Sequence, residues 1–161
     1  MLTIPQGLID LARPWASLYG DSTVVSDGVT FLHFAGVFLG GGAAVTMDRE
    51  TLLAGRLDDH ARGHLLERLR GIHRWVIAGL AVTFVTGLLQ VASDLKTFLP
   101  SGVFWLKMGL VALLLANGLL VVRGEAAAVR GRWGMLRFAA VASLSLWLVI
   151  LLLGVILTSA A

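Results

Sequence analysis

Four stretches of the chain stay apolar for about twenty residues at a time, and the polar residues gather between them. They run over 28–47, 72–92, 102–122 and 135–158. A bilayer core about 30 Å thick needs roughly 20 apolar residues in a helix rising about 1.5 Å per residue, so each stretch predicts one transmembrane helix. A closed β-barrel is the other solution in lipid, but barrel strands alternate apolar and polar positions, and these runs do not. Ahead of the first run the pattern changes. Leu8, Leu11, Ala12, Trp15, Leu18 and Tyr19 recur at helical spacing, opposite Asp10, Arg13 and Ser17. That predicts a short amphipathic helix in the membrane interface, broken near Pro14 and ended by Gly20. The expected fold is all-α: an integral membrane four-helix bundle over residues 24–161, preceded by an interfacial segment over residues 1–23.

The polar connections set an orientation. Arg49, Arg56, Arg62, Arg68, Arg70 and Arg74 lie between the first and second runs, and Arg123, Arg130, Arg132 and Arg137 between the third and fourth. Only Arg13, Lys96 and Lys107 fall on the other side, so the positive-inside bias puts both arginine-rich connections in the cytoplasm and both termini outside. The longer inner connection carries Leu53, Leu57, Leu65, Leu66 and Leu69 among its charges. Gly55 is a helix stop and Asp58 or Asp59 a cap, which predicts helical stubs protruding from the membrane. The outer connection over 93–101 is short, which predicts that the second and third spans are antiparallel neighbours.

Composition narrows the picture further. Of 161 residues, 57% are hydrophobic and 14% charged, far from the quarter charged of a soluble domain. The basic excess sits at membrane edges rather than along an exposed stripe, which argues against nucleic acid. With no cysteine, disulfides, iron–sulfur clusters, thiolate zinc sites and c-type haem attachment all drop out. The first ten residues lack a basic start and a long apolar core, so insertion is expected to use the first span rather than a cleavable leader.

Small residues mark where helices approach in lipid, because apolar contact there gains nothing over lipid itself. Gly36 and Gly40 in the first span, Gly79 and Gly87 in the second, Gly109 in the third and Ser143 in the fourth are the expected packing positions. Asn117 lies deep in the third span, at the depth of Ser143 and Thr83, which predicts an interhelical hydrogen bond with one of them. Trp75, Trp105 and Trp133 fall near the interfaces, and Lys107 is expected to snorkel outward along its stem.

The spans hold no carboxylate and no proline, which argues against a proton or cation translocator and against the broken helices of secondary transporters. Neither G-x-S-x-G nor H-E-x-x-H occurs, and no catalytic residues assemble, so the expectation is no enzyme. Histidine is left as the chemically able residue. His33 and His73 lie about 20 Å apart along the membrane normal at about 1.5 Å per residue, too far for one bis-histidine haem. Met108 lies at nearly the depth of His33, and the pair is the candidate cofactor site, for haem b or copper. Met47, His73 and Met135 come close in depth at the inner edge. His60 and His64, four apart with Glu67 beyond, have the spacing of a two-histidine metal face. The alternative there is a solvated face with Glu67 paired to Arg70.

His33 with its following glycines, Val85-Thr86-Gly87-Leu88-Leu89 and Phe104-Trp105-Leu106-Lys107-Met108 resemble small bacterial four-span proteins distantly similar to the copper-resistance D (CopD-like) membrane family. That resemblance implies a bacterial inner membrane and copper handling. The residue pattern itself leads to two function classes. One is a non-catalytic accessory subunit without a cofactor, packed against other subunits of a larger respiratory or photosynthetic electron transport complex. The other is a small haem- or copper-binding electron carrier using His33 and Met108.

Overall fold

The computed structural model describes residues 4–159, with side chains placed through residue 157. All regular structure among them is helical: α1 Gln6–Asp21, α2 Thr23–Leu53, a 3-10 turn Ala54–Arg56, α3 Asp59–Ser93, α4 Leu95–Phe98, α5 Gly102–Ala128 and α6 Gly134–Ser159. Helices α2, α3, α5 and α6 are long and apolar enough to cross a membrane. The expected all-α class and its four spans are therefore present. Residues 160–161, at the end of the expected bundle domain, lie outside the described residues.

Helix ends follow caps rather than hydrophobicity. Ser22 accepts from Val25 N, Asp58 from Ala61 N at 2.8 Å and Ser101 from Phe104 N, each covering a free amide of a first turn. As a result α2 has 31 residues and α3 has 35, about 46 and 52 Å long, well beyond a core of about 30 Å. The predicted stubs exist, and Asp58 is their cap. Their leucines divide: Leu65, Leu66 and Leu69 join Met47, Ala54, Ala128 and Leu136 in a core at the arginine-rich end, whereas Leu53 and Leu57 are exposed.

Two expectations are corrected. Helix α1 passes through Pro14 without a break and ends at Asp21 rather than Gly20. Proline removes one amide and crowds one carbonyl, and on an exposed face that carbonyl can turn toward solvent, so the helix survives. The second correction concerns neighbours. Helix α2 packs closely on α3 and on α6, and α5 on α6, but the backbones of α3 and α5 stay apart despite their short connection. The space between them is bridged by side chains: Val76 and Leu80 of α3 meet the cluster of Leu114, Trp147 and Ile150.

The closest approach is between α2 and α3. A Cβ placed on Gly79 would lie 2.5 Å from Gly40 Cα and 2.6 Å from the Gly36 carbonyl oxygen. One on Gly36 would lie 2.6 Å from Thr83 Oγ1. Gly36 and Gly40 thus lock against Gly79 and Thr83, the small-residue crossing expected of helices in lipid.

Candidate functional site

Beyond that glycine crossing, toward the end away from the arginines, α2 and α3 are joined by His33. Its Nδ1 lies 3.0 Å from Thr86 Oγ1. The hydroxyl also donates to the Val82 carbonyl at 2.7 Å, back-bonding along its own helix. With its single proton spent there, the hydroxyl accepts from Nδ1–H, which leaves Nε2 with the lone pair. The ring edge fills the notch at Gly87, where a Cβ would lie 3.3 Å from His33 Cε1. Gly87 is therefore a seat for the imidazole rather than for a helix.

Lys107 on α5 completes this end of the bundle. Its ammonium lies against Gly154 of α6, where a Cβ would be 3.5 Å away, and close enough to His33 to act on it electrostatically. Met108, one residue on, points about 100° away round a helix of 3.6 residues per turn. Equal depth fixes the height of Met108 on α5 but not its direction around the helix.

Helix α1 docks at the same end. The Trp15 indole donates to the Leu89 carbonyl at 2.7 Å, and Tyr19 Oη lies 3.4 Å from Thr30 Oγ1. No residue of α1 is buried.

Deeper in the bundle, Asn117 Nδ2 donates to the Ala139 carbonyl at 2.9 Å, tying α5 to α6. The predicted interhelical bond exists, but its partner is a backbone carbonyl, not Ser143 or Thr83. Ser143 turns instead toward the carboxylate of Asp48 on α2. Gly109 is a further correction: a Cβ there would meet nothing within 4 Å, so it packs no helix within this chain.

Sequence reasoning missed two carboxylates. Asp48 is 6% exposed and Glu125 is 8% exposed, the latter within electrostatic reach of His73 and Arg70. Both fall just past the apolar runs, where hydrophobicity has ended but packing has not. The signal was the small-residue stripe itself: Gly36, Gly40 and Ala44 continue at helical spacing to Asp48 and Thr51, all buried. Of the two methionines at the depth of His73, Met47 lies in the core and Met135 is exposed.

On the stub of α3, His60 Nε2 and His64 Nε2 lie 3.2 Å apart, their rings edge to face. His64 Nδ1 is 3.7 Å from Glu67, which pairs there rather than with Arg70. Among the described residues no three histidines or carboxylates converge as a metal site. Arg68 pairs with Glu50 of α2, and Arg62 donates to the Ala54 carbonyl at 3.1 Å, closing the stub onto the preceding turn.

Fold and side chains together define a multi-pass α-helical membrane protein. No known protein family, curated protein or solved structure matches it.

Proposed function

We propose that this chain is a non-catalytic accessory subunit of a larger membrane complex, of the respiratory or photosynthetic electron-transport kind. One observation carries the reading. Helix α5 turns Gly109, Ala112 and Ala116 outward in a single stripe at helical spacing, and all three are exposed. Small residues on an outward face leave a shallow groove that lets another helix approach, whereas a face meant only for lipid gains from larger side chains. The intramembrane polar groups add support, since His33 and Asn117 are engaged in joining helices.

The same reading puts the arginine-rich connections in the cytoplasm of a bacterial inner membrane. The chain has no cysteine, so single cysteines at His64 and Thr97 can be tested with an impermeant maleimide on intact cells. Labelling at position 97 alone supports that orientation, and labelling at position 64 alone reverses it.

The deciding experiment is an absorption spectrum, oxidised and reduced, of the protein extracted gently with whatever accompanies it. The expected result is a chain with no chromophore of its own that migrates with a larger assembly. A haem band stoichiometric with the chain and lost in His33→Ala would make it an electron carrier instead.

A further inference from the structure

An open groove of about 500 Å³ runs between α2 and α3, toward the arginine-rich end. Phe38 and Trp75 stand at its sides, Gly42 and Ala43 lie along it, and Thr46 and Ile72 lie toward the arginine-rich mouth. The lining asks for no polar partner. Thr46 has already given its hydroxyl to the Gly42 carbonyl at 2.9 Å, and a Cβ on Gly42 would meet nothing within 4 Å.

The mouth has the opposite character. The Arg74 guanidinium sits over the Trp75 ring at 5.7 Å from its centroid, a cation–π contact that holds it beside the groove. Arg49 follows Thr46 by three residues, so it lies on the same face of α2. Both arginines are exposed, and neither has an ion-pair partner among the described residues, unlike Arg62 and Arg68 nearby. An apolar channel with one unpaired guanidinium a turn beyond Thr46 on α2 and another over its Trp75 wall on α3 fits a molecule with an apolar tail and an anionic head. A partner's apolar helix would cover the channel and leave both cations unmatched.

We propose that this groove is a binding site for an anionic phospholipid of the surrounding bilayer. One acyl chain lies along Gly42 and Ala43 between Phe38 and Trp75, and the phosphate is held by Arg49 and Arg74. Arginine suits this role because its planar fork presents two parallel N–H groups to phosphate oxygens.

The test is native mass spectrometry of the full chain in detergent, titrated with phosphatidylglycerol and with phosphatidylcholine of the same acyl chains. The expected result is one phosphatidylglycerol retained per chain in preference to phosphatidylcholine. Arg49→Gln and Arg74→Gln together should erase that preference, about fivefold for each arginine removed. Gly42→Leu fills the channel from an open helical position, so the fold is kept while both lipids bind more weakly and to the same degree. Equal binding of the two lipids by the unaltered chain overturns the proposal. So does a preference that survives the double substitution, or lipid binding unchanged in Gly42→Leu.

Discussion

At the scale of single residues, two polar side chains within the long apolar helices join one helix to another. His33 with Thr86 links α2 to α3, and Asn117 with Ala139 links α5 to α6. Interhelical hydrogen bonds in membrane proteins contribute about 0.6 kcal/mol on average and about 1.7 at most. Thr86→Val should therefore destabilise the chain by about 0.6 kcal/mol in reversible SDS unfolding, while Thr86→Ser, which keeps the hydroxyl, should not. Equal stability of the two variants would mean that the imidazole contact contributes nothing. The sequence discloses that Asn117 and His33 need partners but not which ones. Depth is readable from a count of residues, because rise per residue is fixed. Azimuth depends on how each helix rotates in the bundle, so Ser143, at the depth of Asn117, turns to Asp48 instead.

At the scale of elements, the crossing of α2 and α3 depends on the absence of side chains. Gly79→Ala pushes a methyl into the Gly40 backbone, which has no rotamer to yield, and overpacking of this kind costs about 1–3 kcal/mol. Gly42→Ala, where a Cβ would meet nothing within 4 Å, should leave stability unchanged or raise it through helix propensity. Thermal or SDS unfolding of the two single variants checks the contrast, and similar losses in both would remove the crossing as a cause. The existence of the four spans was readable because twenty apolar residues in lipid have few alternatives. Their ends were not, because hydropathy reports where lipid stops, whereas the helix stops where capping and core packing stop. That difference hid Asp48 and Glu125.

At the scale of the whole molecule, one face of α5 is left for a partner in the accessory-subunit reading. Gly109→Leu should abolish co-migration with the larger assembly on a native gel while leaving helical circular dichroism intact, since the site is open in this chain. Retained co-migration would move the partner to another face. Architecture at this scale was the least legible. Short connections predict neighbours, and the rule failed for α3 and α5 because α6, rather than α3, supplies the close surface for α5.

That arrangement also says how the protein can be assembled. Helices α2 and α3 form one hairpin, α5 and α6 another, and the two meet mainly through α2 and α6. Each hairpin is made of sequence-local contacts that can form as soon as its second helix leaves the translocon, before the other exists. The connection over residues 94–101 then acts as a tether that raises the local concentration of one half around the other, not as a structural joint. A chain cut after Pro100 and produced as two co-expressed pieces should reassociate and be recovered as a pair from the membrane. Recovery of either piece alone would make covalent continuity a condition of assembly.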